Sequence, residues 1–152
     1  MVLDGSLSSK EDKASIATGP SSNSLSDEIL RVPTGSLEMK DTLFLLRPGF
    51  MNASRGPMYC SDSAPVEGVL SFFPKLRTQI DVRYLEFPPP RIALVQELGE
   101  EYQSLPALIL APGSTLGEGM PAAKSARGKQ FFNDERSIRQ YLSMRYALPT
   151  PS

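Results

Sequence analysis

Four large apolar residues stand in an unbroken row in the segment Thr42-Leu43-Phe44-Leu45-Leu46. A strand with one wet face alternates apolar and polar side chains, whereas a short unbroken apolar run suits a strand buried on both faces. The rest of the sequence has to supply the elements that bury it. From about Ser63 to Phe73 the residues Val66, Val69, Leu70 and Phe73 fall at i, i+3, i+4 and i+7, so they share one helical face, and Pro74 ends that helix. Val82 to Phe87 reads as a second strand, mixed in pattern and near an edge. Pro88, Pro89 and Pro90 lead into a short helix from Arg91 to Leu98, with Gly99 just past its end. Leu105-Pro106 precedes a third strand, Ala107 to Ala111, and Phe131-Phe132 marks a very short fourth one. Asn133 or Asp134 caps a last helix that runs to about Tyr146, with Ile138, Tyr141, Leu142 and Arg145 on one side.

The order is therefore β-α-β-α-β-β-α, an α/β domain on a four-stranded mixed sheet. Two strands joined by a helix imply a parallel pair in a right-handed crossover. The last two strands imply an antiparallel hairpin whose connection, Ala111 to Gln130, is a long loop rich in Gly, Ala, Pro and Ser. A second long loop, Arg47 to Tyr59, is punctuated by Pro48, Gly49, Gly56 and Pro57. Residues 1–38 are rich in Ser, Gly and acidic side chains and hold no apolar period, so they read as a disordered tail before a domain at 39–152.

Composition removes several kinds of chemistry. The chain of 152 residues has no histidine and one cysteine, which excludes Ser-His-Asp and Cys-His catalysis and an internal disulfide. A structural zinc site and other metal centres are not expected, and no cofactor is called for. A net charge of -1 gives no field to recruit nucleic acid or an anionic membrane. No apolar run approaches the roughly 20 residues that cross a bilayer. The start of the chain lacks the basic and apolar blocks of a signal peptide, which with the single cysteine leads to an expected cytoplasmic location. Oligomeric state is not legible.

The chemistry centres on Cys60, which closes the first long loop just before the first helix. At a helix start, unpaired N–H groups and the helix dipole stabilise a thiolate. The competing reading is a small buried hydrophobe. Asp62 sets a negative charge beside the thiol. Pro65 fits only if Asp62 or Ser63 caps the helix, which would leave Cys60 slightly outside the favourable field. Arg47 or Arg55 is the expected source of a compensating cation. Tyr59, Phe50 and Met58 either wall a pocket around the thiol or anchor the loop to the core. Lys124, Arg127 and Lys129 read as a solvated basic loop, and Glu100-Glu101 as a solvated turn.

The element order, a cysteine after strand one and a proline before strand three resemble the thioredoxin and glutaredoxin superfamily over residues 41–146. Asp41 to Leu46, Pro48-Gly49-Phe50, Tyr59-Cys60, Glu67-Gly68 and Ser104-Leu105-Pro106 are similar to motifs of a small uncharacterised bacterial branch of it. The resemblance implies a thioredoxin-like fold, with Cys60-Ser61-Asp62-Ser63 in place of Cys-x-x-Cys. Ser63 replaces the resolving cysteine, so a mixed disulfide could form but not resolve internally, the monothiol pattern. It further implies a cis peptide bond at Leu105–Pro106 facing the thiol, with trans as the alternative. Asn133 and Asp134 match the place where glutathione's γ-glutamyl end is held, although ordinary helix capping is favoured there. Tyr59, Leu105, Pro106, Asn133 and Asp134 are thus the candidate substrate-binding residues, and Cys60 and Ser63 the candidate catalytic pair. Two functions follow: a monothiol glutaredoxin-like protein using glutathione or a protein thiol, or a non-catalytic binding module of the same fold. A glutathione transferase fits less well, because no all-helical second domain follows.

Overall fold

The computed structural model describes residues 39–152; the tail expected over 1–38 lies outside them. The predicted elements appear in the predicted order. Strand β1 is Thr42–Leu46, helix α1 Ser63–Phe72, strand β4 Asp81–Leu85, helix α3 Ile92–Leu98, strand β5 Ala107–Ile109, strand β7 Lys129–Phe132 and helix α4 Glu135–Arg145. Strands β2 (Phe50–Asn52), β3 (Arg55–Met58) and β6 (Lys124–Ala126) and helix α2 (Leu76–Gln79) lie in segments read as loops.

The main sheet has five strands in the order β4-β1-β5-β7-β6, which corrects the expected four. β1 pairs in parallel with β4, from Thr42 opposite Asp81 to Leu46 opposite Leu85. β5 runs antiparallel to β1 with Leu43 opposite Leu108, and β7 runs antiparallel to β5 with Leu108 opposite Phe132. The fifth strand arises because Arg127 (φ 50°) and Gly128 (φ 75°) both take left-handed backbone and turn the chain between Ala126 and Lys129. Such a two-residue turn matches the twist of the strands it joins. Arginine at its first position is not the Asn or Asp that announces this turn in a sequence, so β6 was hidden in the long loop.

The unbroken apolar row of β1 is buried on both faces, as the sequence requires. Leu43 and Leu45 point into a layer built with Val66 and Leu70 of α1 and Ile138, Tyr141 and Leu142 of α4. Phe44 and Leu46 point the other way, against Leu94 and Leu98 of α3, Ala107, Ile109 and Phe131. The fold is three layers: two helices, the sheet, and one helix. α2 turns the chain after Pro74 and buries Leu76 in the first layer.

The two ends of the sheet differ. At the start of β1, the buried Asp41 carboxylate accepts hydrogen bonds from Ala111 N (2.7 Å), Tyr141 Oη (2.6 Å) and Tyr146 Oη (2.8 Å). This ties β1 to the last helix and to the exit of β5. At the other end lie the carboxyl ends of β1, β4 and β7 and the start of β5. Helix α1 begins there, fastened by Ser63 Oγ, which accepts a 3.2 Å hydrogen bond from Leu46 N.

Candidate functional site

Cys60 sits two residues ahead of the α1 cap position, Asp62, whose side chain makes no capping bond. The cysteine does that work. Its Sγ accepts a hydrogen bond from Ser63 N at 3.3 Å, and its carbonyl accepts one from Ala64 N at 3.1 Å. The helix starts late with Asp62 at the cap position, as expected, and Cys60 lies just before it, yet a first-turn N–H points at the sulfur. Pro65 becomes the third helical residue, where an N–H has no intrahelical acceptor and its absence costs nothing. Cys60 is half-buried, neither sealed in the core nor free in solvent.

A cation is present, but it is neither Arg47 nor Arg55. Arg47 is paired with Glu86, Nε to Oε2 at 2.8 Å, and the Arg55 residue is exposed on β3. Arg91, immediately before α3, is near enough for a charge on Cys60 to act on its guanidinium. Burial holds its guanidinium below the ordinary arginine value, and the charge of Cys60 opposes that shift. Arg91 is held in place by donating to Gln103 O (2.6 Å) and Phe87 O, with its guanidinium carbon 5.9 Å from the Phe87 ring centre. Phe87 in turn stacks on Phe50 with ring centres 4.4 Å apart. Phe50 belongs to the β2–β3 hairpin, in register with Met58. The loop ahead of Cys60 is thus anchored to the α3 side of the sheet by an aromatic pair.

On the opposite side of the thiol, toward α1 and β4, a cavity of about 520 Å³ opens to solvent, lined by Leu45, Leu46, Pro48, Tyr59, Cys60, Ser63, Ala64, Glu67 and Tyr84. Its volume lies in the range of small-molecule sites. Glu67 stands one helical turn beyond Ser63. Its Oε1 accepts from Tyr84 Oη at 2.7 Å, and its Oε2 is paired with Arg77, which also donates to Tyr84 Oη at 3.1 Å. Burial, followed by the hydrogen bond to Glu67, pushes the Tyr84 phenol up.

Of the residues singled out from sequence, Cys60, Ser63 and Tyr59 come together at this cavity, Tyr59 at its rim with 67% of its surface exposed. Ser63 is 5% exposed, and its hydroxyl oxygen is engaged by Leu46 N. Leu105 and Pro106 are buried at the start of β5, joined by a cis bond, at the same end of the sheet but outside the cavity lining. Asn133 and Asp134 follow β7, two strands away from β1. Asp134 Oδ2 accepts from Ser137 N at 2.8 Å, so its carboxylate is committed to capping α4. Glu67, Tyr84 and Arg91 were missed. Glu67 had a signal, the i+4 spacing from Ser63 that places both on one helix side. Tyr84 and Arg91 had none, since only the sheet and the proline-rich turn bring them there.

Two of the three basic residues of the 111–130 segment are engaged, and Lys124 is exposed. Arg127 donates to the carbonyls of Val95 (3.2 Å) and Gln96 (3.3 Å) at the end of α3, and Lys129 pairs with Glu97. Among the described residues no group of His, Cys, Asp and Glu is arranged to hold a metal ion. No helix among them is long and apolar enough to cross a membrane. Comparison with curated proteins and with solved structures found no match to either. Comparison with protein families matched residues 40–150, most of the chain and the whole of the sheet with its covering helices, to a family described as "Protein of unknown function", DUF3088. The chain belongs to the DUF3088 family.

Proposed function

We propose that this domain is thioredoxin-like and acts through Cys60 as a monothiol that forms mixed disulfides with glutathione or a protein thiol. The observation that carries the reading is the hydrogen bond from Ser63 N to Cys60 Sγ, on a half-buried thiol at the mouth of an open cavity. The backbone donor aimed at sulfur is the local feature that supports a nucleophilic role for Cys60. The strand order β4-β1-β5-β7, one parallel and two antiparallel pairings, together with the cis bond at Leu105–Pro106, supports the thioredoxin-like assignment. Ser63 in the place of a resolving cysteine supports the monothiol form. Its role is positional: its N–H meets the sulfur and its hydroxyl holds the helix start to β1.

In the reaction, the Cys60 thiol loses its proton to solvent and its sulfur attacks one sulfur of glutathione disulfide. A new S–S bond forms, the old one breaks, and one glutathione thiolate leaves with the electron pair. The described residues hold no second cysteine, so the adduct persists until an external thiol attacks it. Mass spectrometry after exposure to glutathione disulfide tests this directly. The expected result is one glutathione adduct on the folded protein, removed by dithiothreitol. A folded protein that stays unmodified, while its unfolded chain reacts, would favour the second reading, a non-catalytic binding module. The apolar walls of the cavity are the observation that supports that alternative.

A further inference from the structure

The cavity beside Cys60 carries information about what it holds, because its walls are mainly apolar and the charged group among them is already paired. Ser63 Oγ receives Leu46 N, Tyr84 Oη donates to Glu67 and receives Arg77, and the Glu67 charge is balanced by Arg77. What remains for an occupant is the apolar surface of Leu45, Leu46, Pro48 and Ala64, the ring faces of Tyr59 and Tyr84, and the thiol. A free carboxylate or ammonium entering this space would lose water and meet no opposite charge that is not already paired, which is costly. An aromatic or short aliphatic group would lose only unfavourable contact with water. The volume of about 520 Å³ admits a group of that size.

We infer that the cavity seats the uncharged apolar half of a sulfur compound that is transferred to Cys60, so that the protein discriminates its sulfur substrates by the apolar group they carry. The inference rests on the thiol–disulfide reading of Cys60 given above, and names the substrate class of that site. The occupant lies on the α1 and β4 side of the thiol, away from Leu105 and Pro106. Selection comes from burial of the transferred group, while attack by sulfur is common to every substrate.

Methanethiosulfonates test this, since they transfer different R–S groups with one leaving group. The Cys60 sulfur attacks the sulfenyl sulfur, the new disulfide forms, the S–SO₂ bond breaks, and methanesulfinate leaves with the electron pair. Rates of adduct formation are measured with the methyl, benzyl and carboxyethyl reagents, on the folded protein and on the chain unfolded in guanidinium chloride. The unfolded chain gives the intrinsic ratio. In the folded protein the benzyl-to-methyl ratio is expected to exceed it by about tenfold, the scale of a partly buried ring. The carboxyethyl-to-methyl ratio is expected to fall below it. Ala64→Phe fills the cavity from an exposed helix position. It should bring the benzyl-to-methyl ratio back to the intrinsic value. Folded and unfolded ratios that agree, with the methyl reagent still reacting, would overturn the cavity inference and leave the thiol reading standing. An unchanged benzyl preference in Ala64→Phe would also overturn it. A folded Cys60 inert to all three reagents would overturn both.

Discussion

Cys60 is supported from two directions. Along the chain, the first turn of α1 presents the Ser63 N–H to its sulfur. Across the fold, Arg91 brings a guanidinium that is itself immobilised by the carbonyls of Phe87 and Gln103. The first was legible in the sequence, because an apolar strand, a loop and a helical apolar face bracket the cysteine. Its detail was not legible, because Pro65 argued against Cys60 as the cap. The second was not legible. Arg91 comes to this end of the sheet only because β4 lies next to β1, and the proline-rich turn after β4 brings the chain back toward the carboxyl end of β1. A cation near sulfur lowers the cost of the thiolate, and it does so by charge rather than by shape. Arg91→Met is therefore expected to slow alkylation of Cys60 by iodoacetamide at neutral pH by about three- to tenfold. Arg91→Lys should recover part of the rate. Recovery separates charge from packing, since both variants lose the fixed carbonyl bonds. Equal rates in wild type and Arg91→Met, with both proteins folded by circular dichroism, would remove Arg91 from the site.

Of the elements that the sequence revealed, three have faces long enough to repeat, while the short β5 and β7 showed only as apolar runs. β1 is a continuous apolar row, and α1 and α4 each repeat their apolar side over about three turns. The hidden elements, β2, β3, β6 and α2, have three or four residues each, and no period can be read in so few. Their formation depends on the backbone. In the β2–β3 hairpin, Gly56 has φ +140°, a region L side chains rarely enter, and a Cβ there would meet Met51 Sδ at 2.7 Å and the Phe50 carbonyl oxygen at 2.9 Å. Phe50 carries the ring that stacks on Phe87. Gly56→Ala should therefore displace β2 and loosen the anchor of the loop ahead of Cys60. The expected loss of stability is about 1–3 kcal/mol, measured by urea unfolding. A second expected change is faster loss of amide protection in residues 50–58 than in the main sheet. A variant that unfolds like wild type, with unchanged exchange over those residues, would show that the hairpin tolerates the side chain.

The described domain is organised by the polarity of its sheet, with the Cys60 thiol at one end and a buried polar clamp at the other. The clamp begins at Asp41, 2% exposed, and joins residues that are about a hundred apart in the chain. It closes the domain: Tyr141 lies within α4, Tyr146 just beyond it, and Ser143 Oγ donates to Pro149 O at 2.9 Å to bring the following segment back onto the helix. Asp41 was legible as the start of β1, but not as a buried acceptor, because its tyrosine partners lie at the far end of the sequence. The clamp predicts how stability depends on pH. Burial first, and the Asp41 carboxylate second, push the Tyr141 phenol well above its ordinary value of 10.0; for Tyr146 the same two causes act in the same order, with Arg145 opposing both shifts. A raised folded value means that the folded state holds the phenol protons more tightly than the unfolded state. Its contribution is complete below about pH 10 and is lost as pH rises from there toward the folded values. Over that window the free energy of unfolding should fall by up to about 1.4 kcal/mol per pH unit for each phenol. Urea unfolding between about pH 9 and pH 11 measures the slope. Tyr141→Phe loses one hydrogen bond and is less stable at every pH, but one proton drops out of the linkage, so its curve should be shallower. The separation between the two proteins should therefore shrink as pH rises. Curves that stay parallel across the window would show that Tyr141 titrates alike in the folded and unfolded chain, and that the Asp41 clamp does not hold its proton.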